Sequence, residues 1–352
     1  MMFTRRFYRS NLSRSIYYLL RGHSSSPAVP CVTSAKAPPT GTPTIAPIAM
    51  ISLLGIFKRE EEEEEEEEGA VPLSFKILYF KAKSCISEGD YNSAESALHN
   101  GLHILQLSTY SNTRPFMEAM AATTYELGEL YVIRRDWEKA VNSYTETIRL
   151  MTLCDISLEN PQVIELSLKV GKTLCNKNDY REAEKTFNFT LSSALKLVDV
   201  DPSDNNVALL GMCYQAIGQF YLMSNDFTKA MGYFKKSLEK AKEVYGERDS
   251  QVAVLMSDTA AALQGGGHFE EAEKMCQEAV DMLLDVGPPH DNEHLAILLM
   301  NLAALKNDNG KKEESMAVYK KALSYSRSLP DQSISKEIRR RLTLLRNETQ
   351  QK

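Results

Sequence analysis

Apolar and polar positions along this chain alternate with a helical period, and the pattern repeats. A triplet of small or polar residues ending in an aromatic recurs at Gly89-Asp90-Tyr91, Arg135-Asp136-Trp137, Asn178-Asp179-Tyr180, Asn225-Asp226-Phe227 and Gly267-His268-Phe269. A weaker form stands at Gly310-Lys311-Lys312. Three residues after the aromatic position comes a small residue (Ala94, Ala140, Ala183, Ala230, Ala272, Ser315), and four further on a larger one (Leu98, Tyr144, Phe187, Phe234, Cys276, Tyr319). Seven residues before each triplet lies another small residue: Ala82, Gly128, Gly171, Gly218, Ala260 or Ala303. Apolar residues at 3/4 spacing on both sides of each triplet predict two amphipathic helices joined by a tight turn, six times over. The small residues mark where two antiparallel helices approach closely, since a larger side chain there would overpack the crossing.

The triplets are 46, 43, 47, 42 and 43 residues apart. Pro, Gly, Asp and Asn between units, around Ser108–Arg114, Asp155–Gln162, Asp199–Asn206, Tyr245–Ser250, Gly287–Glu293 and Leu329–Ser333, predict loops that carry the extra length. Asp and Ser residues are expected to cap the helix starts. A final segment, Ile334–Asn347, carries Ile334, Ile338, Leu342 and Leu345 among four arginines and is expected to be a helix capping the stack.

The register of Leu127-Gly128, Tyr131, Trp137, Ala140 and Tyr144 resembles the tetratricopeptide repeat. The resemblance covers about residues 72–328 and implies an all-α, right-handed superhelical solenoid of about six helix pairs plus a C-terminal capping helix. The period is longer than that family's minimal unit of about 34 residues, and in this respect resembles the repeats of kinesin light chains.

Composition divides the chain further. Residues 1–59 hold eight Lys or Arg and no acid, and residues 60–68 are nine consecutive glutamates. The Arg- and Ser-rich residues 1–26, with Phe3, Phe7, Leu12, Ile16 and Leu20 interleaved, fit a mitochondrial targeting segment. Residues 27–71 read as a linker, mostly disordered. It contains the short apolar segment Ile45–Phe57, which falls short of the roughly 20 residues a spanning helix needs. An interfacial anchor, a stop in the inner membrane and an adhesive linker are all open readings of it. The repeat domain is expected over 72–347. Its near-neutral charge and lack of a basic stripe argue against a nucleic-acid partner.

No motif for catalysis, cofactor or metal emerges. The glycines Gly265–Gly267 fall at a repeat turn rather than after a strand, and His99/His103 and His290/His294 lack further ligands at metal-site spacing. Six scattered cysteines without a CxxC pair read as small buried hydrophobes. The expectation is therefore a non-enzymatic chain with no cofactor, no metal and no small-molecule substrate. The first helix of each pair is expected to line the concave face of the stack, placing Tyr79, Lys83, Tyr125, Glu129, Lys169, Lys172, Gln215, Gln219, Asp258 and Asn301 as candidate contacts for a protein partner.

The order of parts, together with Leu209–Leu222, Tyr245–Leu263 and Leu298–Leu305, is similar to a mitochondrial branch of the family. That resemblance implies inner-membrane association and a role in assembly and upkeep of respiratory complex III, with the complex and its Rieske iron–sulfur subunit as partners. The alternative is a cytosolic cargo or cytoskeletal adaptor of the kinesin-light-chain type.

Overall fold

The computed structural model describes residues 70–285, 292–329 and 332–350. The targeting segment, Ile45–Phe57, the glutamate run, Cys31 and His290 lie outside these residues. The described residues contain thirteen helices and no strand, and they fall into two compact units that meet in sequence between Pro202 and Ser203.

The first unit holds three helix pairs: α1 (Leu73–Glu88) with α2 (Tyr91–Leu107), α3 (Arg114–Arg134) with α4 (Trp137–Leu153), and α5 (Pro161–Asn176) with α6 (Tyr180–Val200). The second holds α7 (Asp204–Met223) with α8 (Phe227–Tyr245), α9 (Ser250–Gly265) with α10 (Phe269–Asp285), and α11 (Asn292–Asp308) with α12 (Lys312–Ser326), followed by α13 (Ser333–Gln350). Within each unit, the two helices of a pair pack on each other and each second helix packs on the helix that follows it.

The recurring triplet is a helix-stop and helix-start signal in one. Its first residue takes the left-handed conformation in all six repeats: Gly89, Arg135, Asn178, Asn225, Gly267 and Gly310 have φ between 58° and 84°. Two backbone bonds then close the first helix, as where Gly89 N–H donates to Ile86 C=O and Asp90 N–H to Cys85 C=O, and the same pair recurs at each turn. The second residue caps the following helix: the carboxylates of Asp90, Asp136, Asp179 and Asp226 accept from the backbone N–H of Ser93, Lys139, Glu182 and Lys229. Gly and Asn suit the left-handed position because they bear little steric penalty there; Arg135 does not share that freedom.

The small residues sit where the pattern requires. Ala82, Ala260 and Ala303 are buried, as are all six small residues of the second helices. A Cβ added to Gly128 would lie 2.5 Å from the Tyr144 ring, and one added to Gly171 would lie 2.5 Å from the Phe187 ring. The larger residues Leu98, Tyr144, Phe187, Phe234, Cys276 and Tyr319 fill these crossings and are all buried. The aromatics that follow the turns are less enclosed: Tyr180 and Phe269 are each 40% exposed.

The extra repeat length is not carried by loops alone, as the sequence suggested. Helix α6 runs 21 residues, to Val200, and leaves only residues 201–203 before α7. Helix α3 also reaches 21 residues. Extending a paired helix adds one backbone hydrogen bond per residue, which a loop does not.

Candidate functional site

The ten candidate residues lie on first helices, and the structure shows how they are arranged. In the first unit, Lys83 Nζ on α1 donates to Glu126 Oε1 on α3 at 2.8 Å, and the Tyr79 hydroxyl reaches the same oxygen at 3.4 Å. One repeat on, Lys169 Nζ of α5 donates to the Tyr125 hydroxyl and to Glu129 Oε1 of α3, both at 2.5 Å. Tyr144 of α4 donates to Glu129 as well, and the Lys169 ammonium stands 4.8 Å from the Tyr125 ring centre. Lys172, half-buried, follows one turn after Lys169. In the second unit, Asp258 Oδ2 of α9 accepts from Gln215 Nε2 at 2.8 Å and Gln219 Nε2 at 3.4 Å, both on α7. Asn301 Nδ2 of α11 donates to Ser257 Oγ of α9 at 3.1 Å.

The pattern has one rule. The residue two before the small position, Glu126, Lys169, Asp258 or Asn301, bonds back to the preceding first helix. Tyr79, Tyr125, Gln215 and Asp258 are buried by this arrangement, while Lys83, Glu129, Lys169, Lys172, Gln219 and Asn301 keep partial access to solvent. The face is thus a clip between repeats whose outer edge is polar. Its chemistry differs between units: lysines and carboxylates in the first, mainly side-chain amides in the second.

Electrostatics follow from this packing. Burial pushes the Glu129 carboxyl up, but the Lys169 charge and the hydroxyls of Tyr144 and Tyr125 outweigh it and hold it below the usual range. Burial also raises Glu165, one turn before Lys169, to about 7, and the Lys169 charge opposes only part of that rise. Burial, the Glu129 and Glu126 charges and the neighbouring Tyr144 push the Tyr125 phenol far up.

Several polar contacts escaped the sequence reading. Glu126 and Ser257 complete the clips. A second set joins a second helix to the next first helix: Glu95 of α2 binds Arg134 and, at 3.0 Å, the Tyr131 hydroxyl of α3. Glu273 of α10 accepts from Lys306 of α11 at 3.0 Å, from Lys311 at 2.9 Å and from Asn309 at 2.5 Å. Both carboxylates directly follow the small residue of their helix (Ala94, Ala272), which is the available signal. Burial raises the Glu273 carboxyl, yet those donors pull it down to about 2.

His99, considered as a metal ligand, has its Nε2 3.0 Å from the Tyr131 hydroxyl, and His103 is exposed. Cys154, Cys175, Cys213 and Cys276 are buried, Cys85 is half-buried, and none of the five is in a disulfide. Burial pushes the Cys175 and Cys276 thiols up to about 12, where they are poor nucleophiles.

Comparison with known proteins agrees with this geometry. The tetratricopeptide repeat family pattern matches residues 207–285 and 296–329. The chain is 27% identical over 277 residues to human tetratricopeptide repeat protein 19, mitochondrial, covering 75% of this chain and 70% of that protein. It is 26% identical over 276 residues to the Rattus norvegicus protein of the same name, covering 75% and 73%. Among solved structures, BtubC from P. vanneervenii superposes with a TM-score of 0.52 at 15% identity, covering 65% of this chain and 91% of that one. NprR in complex with its peptide NprX gives a TM-score of 0.51 at 12% identity, covering 84% and 77%. Repeat register, pair packing and these matches together place the chain among the tetratricopeptide-repeat proteins, as a relative of the mitochondrial tetratricopeptide repeat protein 19 chains.

Proposed function

We propose that this chain is a mitochondrial, non-catalytic protein-interaction scaffold that supports assembly and upkeep of respiratory complex III, binding the complex and aiding removal of Rieske subunit fragments. The observation that carries the reading is the similarity, over three-quarters of the chain, to proteins named as mitochondrial tetratricopeptide repeat protein 19. The basic, acid-free residues 1–26 suit import. The first-helix faces suit an extended polypeptide, because side-chain amides such as Gln219 and Asn301 offer donors and acceptors to a peptide backbone. Lys83 and Lys172 in the first unit suit acidic side chains of the same partner. No helix among the described residues is long and apolar enough to cross a membrane.

The test is a tagged chain expressed in cells lacking the native protein. It should enter mitochondria, sediment with the inner membrane and co-purify with complex III, while cells without it should retain Rieske fragments on the complex. Normal complex III activity with no retained fragments in those cells would overturn the proposal. A diffuse cytosolic signal from the first 60 residues fused to a fluorescent protein would overturn its location.

A further inference from the structure

We propose that the outward face of α1 is covered, in the full chain, by the apolar segment Ile45–Phe57 of the same polypeptide. Leu73, Ile77 and Phe80 lie at 4- and 3-residue spacing on one face of α1 and are 64%, 60% and 54% exposed. Their register is informative. Five residues before the small position, where α1 has Ile77, the other first helices have Thr123, Leu166, Cys213, Leu255 and Leu298, and all five are buried. Two residues before it, where α1 has Phe80, the helices α3, α5, α9 and α11 carry the polar groups that clip back to the preceding first helix. Helix α1 thus presents a stacking face, and its side chains there are large and apolar rather than polar.

A repeat array needs a solvated outer surface at each end. After the last pair of the second unit α13 supplies one: Ile338, Leu342 and Leu345 are buried, while Lys336, Arg339 and Arg346 are exposed. No helix precedes α1 among the described residues, so its cover comes from the chain before residue 70 or from another molecule.

Three observations favour the chain itself. The segment 45–57 supplies Ile48, Ile51, Leu53, Leu54, Ile56 and Phe57, the apolar groups such a face takes. Reach is sufficient: residues 58–72 extend to about 50 Å, and the 16 residues of α1 rise only about 24 Å. Charge is complementary, since α1 carries Lys76, Lys81 and Lys83 against a single acid, Glu88, and folding the segment back brings the nine glutamates of 60–68 beside Lys76 and Lys81. A bilayer fits less well as the occupant, because those glutamates would then lie against an anionic leaflet.

The proposal does not depend on the mitochondrial reading. It is tested by placing the photoreactive residue p-benzoylphenylalanine at position 80 of the full-length purified chain and irradiating it with and without anionic liposomes. Mass spectrometry should find cross-links to residues 45–57 in a product migrating as a monomer. The same probe at position 107, where Leu107 on α2 is 72% exposed, should give none to that segment. The double substitution Leu53→Asp, Leu54→Asp, outside the repeat core, should abolish the position-80 cross-link while helical content by circular dichroism is unchanged. Cross-links to lipid, cross-links to a second copy, or no cross-link to 45–57 would each overturn the proposal.

Discussion

Helices α7 and α8 cross at Gly218, and a methyl group added there measures how tightly the repeat is built. A Cβ on Gly218 would stand 2.7 Å from both Cδ1 and Cε1 of Phe234 and 3.1 Å from its Cγ. Phe234 is fully buried, and Ser237 Oγ, one turn on, donates to Gly211 C=O at 2.8 Å, which ties the two helices together beside the crossing. Neither ring nor helix can retreat freely, so overpacking should cost about 1–3 kcal/mol. The substitution also gains helix propensity, about 1 kcal/mol for Gly to Ala, which partly hides the cost. Gly232 supplies the correction: it lies exposed within α8 and an added Cβ would meet nothing within 4 Å. Gly232→Ala should therefore stabilise by about 0.5–1 kcal/mol, and the gap between the two variants should be about 1–3 kcal/mol. For a unit of this size that is a melting difference of roughly 2–12 °C. Because the chain has two units, hydrogen exchange of the α7 and α8 amides should accompany the thermal melt. Gly218→Leu should be worse still. If Gly218→Ala proves as stable as Gly232→Ala, the crossing is not where the small residues place it.

Other predictions follow from the turns and the carboxylates. Arg135, exposed and held at φ 61°, should tolerate Gly with a gain of about 1 kcal/mol in the unfolding free energy of the first unit, read by urea denaturation, whereas Arg135→Ala should show no such gain. Glu273, held near pH 2 in the fold, contributes stability that is present above the ordinary glutamate range near 4.5 and lost as pH falls towards 2. Glu273→Gln should thus cost roughly 1–3 kcal/mol at pH 7, with the difference closing in acid. Glu165 has the opposite sign. Raised to about 7, it is most compatible with the fold below pH 4.5 and costs stability as pH rises through 7. Urea titrations of Glu165→Gln should show it more stable than the parent by roughly 1–2 kcal/mol at pH 8, with little difference at pH 4.5.

The helices and their pairing were legible because both rest on local signals. The triplets encode a left-handed stop and an N-cap at adjacent positions, and the small and large positions at seven-residue offsets encode the crossing. What was less legible involves pairs 33 to 44 residues apart. Glu126, Ser257 and Glu273 are ordinary surface residues when read along one helix; they become clips only when the preceding or following helix is laid beside them. The division of extra length between loops and helices was misjudged for a related reason, since Asp199 and Asp201 read as loop while packing extends α6 to Val200. The candidate residues do stand on first helices, but Tyr79, Tyr125, Gln215 and Asp258 are buried in bonds between repeats, leaving Lys83, Glu129, Lys169, Lys172, Gln219 and Asn301 with access to solvent.

The central claim is that this is a scaffold whose first-helix faces hold a protein partner of the inner mitochondrial membrane. The most direct measurement is affinity purification of the tagged chain from mitochondria after lysine-reactive cross-linking, with linked residues identified by mass spectrometry. The account predicts complex III subunits, the Rieske protein among them, joined to Lys83 and Lys172. Partners joined only through lysines on the outer sides of second helices, such as Lys185, Lys235 and Lys236, or recovery without complex III subunits, would contradict it.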